Sequence, residues 1–474
     1  MARSIPVGFE MVSGSAVIEV RSPYDGSLID EVPALDPAAI DTAVAAGRAV
    51  LNSPLPAHER AAILDRAAAL ILERRDALAH DLCRESAKPI RTARVEVERC
   101  ASTLIFSAVE ARTLVGEVIP MDASAAGVGK LAFTLRVPIG VVGAITPFNF
   151  PLNLVAHKVG PAIAAGCPVV VKPASQTPLS AINLAAIFSE AGLPPGWISV
   201  VPGPGTAVGG ALVDHPDVPL ITFTGSPEVG WGIRARAARK RVGLELGNNA
   251  PVIIAANSNW ELAAKKISIA GFSHAGQSCI STQRVFVERA IHDEFVAALV
   301  TAVAALVVGD PLDEATDVSS LISVAERDRV VSWVDEAQAQ GATVATGGDL
   351  AAHEVLRPTV ITGVTEDMKV CSKEVFGPVV GIAPYDDLSD ALAVANRTDY
   401  GLQAGIFTHD WDEAWRAVHA LDFGGVVVND VPTYRADQMP YGGLRDSGNT
   451  REGPHDSVRE MTERRLIVLD MPSA

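Results

Sequence analysis

The chain has 474 residues, 48% of them hydrophobic and 20% charged, and a formal net charge of −17. That length leaves room for two or three domains around a multilayer core. The acidic balance excludes nucleic acid and anionic membrane as general partners, because both repel a negative surface, yet it permits a local basic pocket.

The segment Met1 to Glu10 carries no charged-then-apolar signal pattern. No uninterrupted apolar run reaches the roughly 20 residues that a spanning helix needs. Val17 to Pro33 reads as short strands around the turn Pro23-Tyr24-Asp25-Gly26. Asp36 to Leu51 has helical spacing, and His58 to Arg112 holds two or three amphipathic helices with Ile63, Leu64, Ala67 and Ile71 on one apolar face. Gly127 to Val137 alternates and breaks the α/β rhythm, which predicts a β-hairpin arm reaching away from the body.

From Gly140 to Gly247 the pattern becomes strand, loop, helix, repeated. Strands are predicted at Val141 to Ile145, Val169 to Lys172, Ile198 to Val201 and Leu220 to Thr224, with a helix over Leu179 to Ala191. Such alternation implies a parallel sheet with ligands at the C-terminal ends of its strands. A second α/β unit follows, with strands at Pro251 to Ala255, Arg284 to Val287, Ala383 to Tyr385 and Gly425 to Asn429. Its helices are at Trp260 to Gly271, His292 to Leu306 and Leu388 to Asn396. The tail Leu466 to Leu469 has strand character and is expected to pair with an arm from another subunit.

The five cysteines, Cys83, Cys100, Cys167, Cys279 and Cys371, are widely spaced and include no C-x-x-C pair. A disulfide framework or zinc site is not expected, no metal is assigned, and the chain reads as cytoplasmic and reduced. Cys279 differs from the others in following Gly276-Gln277-Ser278, where small and polar residues let the backbone approach a substrate. A thiolate there suits attack on an aldehyde carbon. Asn149, in Thr146-Pro147-Phe148-Asn149-Phe150-Pro151, offers an amide fixed between aromatics and prolines, the kind of donor that holds an oxyanion. Glu245 lies between Leu244 and Leu246, a partly buried setting that raises a carboxylate toward use as a base. Phe223-Thr224-Gly225-Ser226 leads into a helix whose N-terminus suits a phosphate. No G-x-G-x-x-G is present.

In this order and spacing, these segments resemble the NAD(P)-dependent aldehyde dehydrogenase superfamily, from about Asp25 to the C-terminus. Phe272 to Arg284 and Arg451-Glu452-Gly453 look most like the branch acting on lactaldehyde, glycolaldehyde and semialdehydes. The resemblance implies an α/β fold of two Rossmann-type parallel-sheet domains with a small β oligomerisation arm. It places the dinucleotide-binding domain at 1–121 and 140–246, the catalytic domain at 247–448, and the arm and tail at 122–139 and 449–474. It also implies a homodimer or homotetramer.

The roles follow residue by residue from the resemblance. Cys279 is the nucleophile, Asn149 and the Cys279 N–H are the oxyanion donors, Glu245 is the base, and Lys172 belongs to both the catalytic and the cofactor set. The remaining cofactor residues are Ile145, Thr146, Pro147, Phe148, Ala174, Ser175, Gly205, Gly209, Phe223, Gly225, Ser226, Leu246, Glu374 and Phe376. The cofactor is NADP or NAD, with NADP favoured because Ser175 stands where strictly NAD-dependent relatives often carry Glu. Relatives mostly have a second glycine in place of Asn248, a mild exchange since Asn tolerates positive φ. Arg435, in the loop Asn429 to Gly443 that resembles the substrate mouth, is a candidate partner for an anionic substrate, with His157, Arg284 and Arg112 as further candidates at the entrance. The implied reaction is oxidation of a small polar or anionic aldehyde to its acid through a thiohemiacetal and a thioester. Two alternatives stand beside it: a CoA-acylating semialdehyde dehydrogenase, disfavoured by the carboxylate of Glu245, and a catalytically silent scaffold of the same fold.

Overall fold

The computed structural model describes residues 3–13 and 16–471. After two short antiparallel hairpins (Ile5–Val7 with Glu10–Val12, and Val17–Arg21 with Leu28–Pro33) the chain enters helices Ala38–Val50, Ala57–Glu73, Arg75–Ser86 and Ile90–Thr113. Ile63, Leu64, Ala67 and Ile71 form the buried stripe of the second helix, at the spacing that one helical face requires. Full burial of side chains such as Leu64 or Ile71 contributes about 1.5–3 kcal/mol each. They share a core with the first large sheet.

That sheet contains β1 (Val142–Ile145), β2 (Val169–Lys172), β3 (Ile198–Val200), β4 (Leu220–Thr224) and β5 (Arg241–Glu245). All pairs are parallel and the order is β3-β2-β1-β4-β5. The strand order reverses beside β1, so a crevice opens at the C-terminal ends of β1 and β4. Register sets Ile145 beside Lys172 and Thr224 beside Glu245 along that rim. Helix α1 (Asn153–Ala165) crosses from β1 to β2 and is buried on every side. It shows no amphipathic period and carries Pro161 inside, which is why sequence patterning passes over it. Helix α2 (Pro227–Arg236) follows β4.

The second sheet holds β6 (Pro251–Ile254), β7 (Arg284–Glu288), β8 (Thr343–Thr346), β9 (Thr359–Thr362), β10 (Val379–Tyr385), β11 (Gln403–Phe407) and β12 (Gly425–Val428). Its order is β8-β9-β10-β7-β6-β11-β12, parallel except for the antiparallel edge strand β8. Cys279 lies in the connection between helix Trp260–Ala270 and β7.

The arm differs from expectation. Gly127 to Val137 is not a hairpin: Lys130–Pro138 is one strand between Val118–Ile119 and the tail strand Thr462–Asp470. The tail pairs with its own chain's arm, residue against residue from Thr462↔Pro138 to Asp470↔Lys130, and its other edge is unpaired in this chain. The arm also starts earlier than 122, at Val118, and 449–461 is not part of it. Glu452 in that stretch is drawn into the protein by ion pairs to Lys158 and Arg435. Among the described residues no helix is long and apolar enough to cross a membrane.

Candidate active site

The chain approaches Cys279 through a tight turn, Ser273–Gly276, in which His274 and Ala275 adopt positive φ of 50° and 53°. Gly276 has φ 69°, and a Cβ there would lie 2.1 Å from the Gly377 carbonyl oxygen, so only glycine fits. Gln277 pins the loop: its side chain donates to His274 O (3.1 Å) and accepts from Ile322 N–H (2.9 Å), and its carbonyl accepts from Asn149 Nδ2 (2.9 Å). The buried Asn149 amide is thus tied two residues from the cysteine, with its second N–H bond left over.

Cys279 Sγ lies 2.8 Å from Tyr441 Oη. The Arg435 guanidinium stacks on the Tyr441 ring at 3.8 Å from its centroid. Arg435 Nη2 donates to Glu452 Oε1 (2.6 Å), and Lys158 Nζ lies 3.4 Å from Glu452 Oε2 while donating to Thr224 Oγ1 (2.8 Å). Burial opposes the charge of Glu452, yet Lys158, His157 and Arg435 hold its pKa at about 2. Glu245 closes β5 with only 3% of its surface exposed, and neither carboxylate oxygen has a hydrogen-bond partner. Burial, and then the charge of Glu452, push its pKa well above the ordinary carboxylate value. Two carboxylates in one chamber are therefore driven apart, one permanently charged and one able to exchange a proton. A Cβ on Gly442 would meet Glu245 Oε1 at 2.9 Å, so this glycine keeps the space beside the carboxylate open.

The four side chains named for the entrance fare differently. His157 and Arg435 come together, His157 Nε2 lying 3.1 Å from Asp437 Oδ1 and 3.3 Å from Arg435 Nη2. Arg284 does not reach the site. It is buried beneath a separate cavity of about 400 Å³ at β7 and β10, and it donates to the backbone carbonyls of Asn249 and Ala395. Arg112 is also elsewhere, paired with Asp65 on the helix surface. Patterning missed Arg99, which binds Asp437 Oδ1 at 2.9 Å, and Lys158 and Asn153 on α1. For Lys158 and Asn153 the available signal was a charged and an amide side chain on a helix otherwise almost wholly apolar.

A cleft of about 470 Å³ lies at the rim of the first sheet, lined by Ile145, Lys172, Gly205, Gly209, Phe223 and Arg236. Gly205 and Gly209 face open space where a Cβ would meet nothing within 4 Å. Burial lowers the Lys172 pKa. Ser226 caps α2 without a side-chain cap bond, and the Thr146 hydroxyl is buried without a partner. Half-buried Ala174 and Ser175 follow β2, and Ser175 Oγ donates to Gly203 O at 3.4 Å. Pro147 and Phe148 follow β1, with Phe148 edge-on to Phe376. Gly225 packs against Phe223 and Leu246 against Gly230. Glu374 Oε1 accepts from Asn248 N–H (2.9 Å), and its pKa rises to about 7 through burial. Asn248 has no positive φ: its side chain instead donates to Gln403 O (3.2 Å), so the missing glycine is replaced by a buried bridge between β6 and β11. A backbone-lined cleft with one lysine, an open helix N-terminus and an unused hydroxyl fits a nicotinamide dinucleotide.

The aldehyde dehydrogenase family model matches residues 11–467. The chain belongs to the aldehyde dehydrogenase family. It is 45% identical over 454 residues to the 3-sulfolactaldehyde dehydrogenase of Priestia aryabhattai, covering 96% of this chain and 95% of that one. Aldehyde dehydrogenase 21 from Physcomitrella patens, solved with its reaction product succinate, superposes with a TM-score of 0.96 at 38% identity over 99% and 98% of the two chains. The glyceraldehyde-3-phosphate dehydrogenase of Methanocaldococcus jannaschii, solved with NADP, gives 0.92 at 37% identity over 96% and 99%. This aldehyde dehydrogenase is therefore an oxidoreductase of the lactaldehyde and semialdehyde branch, with an NAD(P) cofactor.

Proposed function

We propose that this enzyme oxidises a small anionic aldehyde to its carboxylic acid, with 3-sulfolactaldehyde the leading substrate. One observation carries the anionic class: Arg99 and Arg435 each hold a buried Nε–H without a partner, and they are joined through Asp437 and His157 beside the Cys279 chamber. Guanidinium forks match sulfonate, carboxylate and phosphate oxygens. The compounds named for the three relatives carry those groups, and the 45% identical one acts on the sulfonate.

In this reading Cys279 Sγ attacks the aldehyde carbon, while the free Asn149 N–H and the Cys279 backbone N–H take up the developing negative oxygen. A nicotinamide dinucleotide held at Lys172, Ser226 and Glu374 would supply the two-electron acceptor by which the carbon bonded to Cys279 passes to the thioester level. Glu245 then removes a proton from water, whose oxygen adds to the thioester carbon, and the C–S bond breaks to free the acid and the thiol. Lys172, with neutral Ser175 in place of a repelling carboxylate, supports a preference for NADP. Exposed Val115, Val118, Leu466 and Val468 on the arm support self-association as a dimer or tetramer. The free cysteines fit the cytoplasm.

The test is an aldehyde panel with NAD and NADP, followed by nicotinamide absorbance. 3-Sulfolactaldehyde, succinate semialdehyde and glyceraldehyde 3-phosphate are expected to exceed hexanal and benzaldehyde at least about tenfold in kcat/KM, the worth of one charge-assisted contact. A lead for hexanal or benzaldehyde sinks the substrate class, and no reduction with any aldehyde sinks the activity.

A further inference from the structure

Tyr441 takes no part in the chemistry derived above, yet its hydroxyl is in hydrogen-bond contact with the nucleophilic sulfur. We propose that Tyr441 is a catalytic residue: its O–H donates to Cys279 Sγ and stabilises the thiolate before the aldehyde arrives, and Arg435, stacked on the ring, strengthens that donor. This rests on the reading of Cys279 as nucleophile.

The contact is built in. The Tyr441 ring is buried with Ile280 and Leu402. Its backbone pairs in both directions with that of Glu452, Tyr441 N–H donating to Glu452 O at 2.8 Å and Glu452 N–H to Tyr441 O at 2.5 Å. The Glu452 carboxylate then holds Arg435 over the ring. One residue thus fixes both the backbone of the donor and the cation on its face. Beyond it, a Cβ on Gly442 would strike Thr450 O at 2.1 Å, so the turn after Tyr441 is closed against backbone as well.

The groups around the contact act on both of its partners. Burial pushes the Cys279 thiol up to about 12, Tyr441 and Arg435 pull it down, and Glu374 and Glu245 push it up. Tyr441 is itself raised well above the usual phenol value, first by burial, with Cys279 and Glu245 adding to this and Arg435 opposing. An ionised sulfur has no proton to give, so whenever Cys279 is the thiolate that attack requires, the phenol of Tyr441 is the donor in this contact. A hydrogen bond to a charged acceptor changes the thiolate population by about ten- to a hundredfold. A cation over an aromatic face draws electron density from the ring and makes its O–H a better donor.

Tyr441→Phe keeps the ring and the stack and removes only the donor. Iodoacetamide labelling of Cys279 at neutral pH, read by mass spectrometry, is expected to slow about tenfold with its pH profile displaced upward, while NADP affinity holds. An unmoved profile overturns the proposal. A second measurement assigns both bands: in an ultraviolet titration of the native enzyme, the thiolate band lost in Cys279→Ala appears before the tyrosinate band lost in Tyr441→Phe. The Tyr441 band appearing first overturns the donor role. If Cys279→Ala still oxidises aldehyde, the nucleophile reading fails. If it is inactive while the Tyr441→Phe profile does not move, only the role of Tyr441 fails.

Discussion

The cleft at the rim of the first sheet, proposed for the dinucleotide, is lined mainly by glycines and apolar side chains, whereas the chamber around Cys279 is lined by buried charge. In the cleft, Gly205 and Gly209 leave room, α2 offers its N-terminal amides, and Lys172 is the one buried cation. In the chamber, Glu245, Glu452, Lys158 and Arg435 are withdrawn from water together. Taking charges out of water costs several kcal/mol per ion unless partners offset it. The cleft can therefore lose one contact and keep most of its affinity, while each chamber residue depends on its neighbours. Burial raises both carboxylates; what separates Glu452 from Glu245 in acidity is that only Glu452 is bonded to the cations.

This contrast can be broken or sharpened by substitution. Cys279→Ala is expected to abolish turnover, a loss of at least about a thousandfold, in steady-state assays. Glu245→Gln is expected to lower steady-state turnover by about 10²–10⁴-fold yet leave a single rapid burst of reduced cofactor, visible by stopped flow. In the native enzyme the sign of the pH effect follows from the raised pKa of Glu245: below that pKa the carboxyl is protonated and cannot accept a proton, so deacylation falls as pH falls. A pH-independent deacylation rate would move the base elsewhere, with Glu374 next in line. Arg99→Gln is expected to raise KM for an anionic aldehyde about tenfold and leave KM for lactaldehyde in place. An equal rise for both would make Arg99 a structural brace. The smallest effect belongs to the cleft: Ser175→Glu is expected to raise KM for NADP about fivefold through like-charge repulsion and to spare NAD.

The groups proposed for the chemistry stood out in the sequence because each sits in a short run with its own chemical reason: glycine before Cys279, prolines around Asn149, leucines around Glu245. Strands β1 to β4, β6, β7, β10 and β12 were legible from apolar runs bounded by turn residues, whereas β5, β8, β9 and β11 were passed over. The residues that hold the chamber together were not, because they act across long stretches of chain. Arg99 meets Asp437 across 338 positions, and no local pattern encodes that pairing. Arg284 and Arg112 misled because an arginine's charge says nothing of its destination: one satisfies backbone carbonyls in the core and the other a surface carboxylate. The arm misled because alternation identifies a strand but not its partner, which here is the tail of the same chain.

The bond between Tyr441 and Cys279 spans 162 positions, and the ion pair between Lys158 and Glu452 spans 294. During ribosomal synthesis the thiol therefore emerges long before the groups that would arm it. A nascent or truncated polypeptide ending ahead of Tyr441 carries the sulfur in an idle form. On the proposed role of Tyr441, the centre is complete only after translation has passed Glu452 and the final segment has docked.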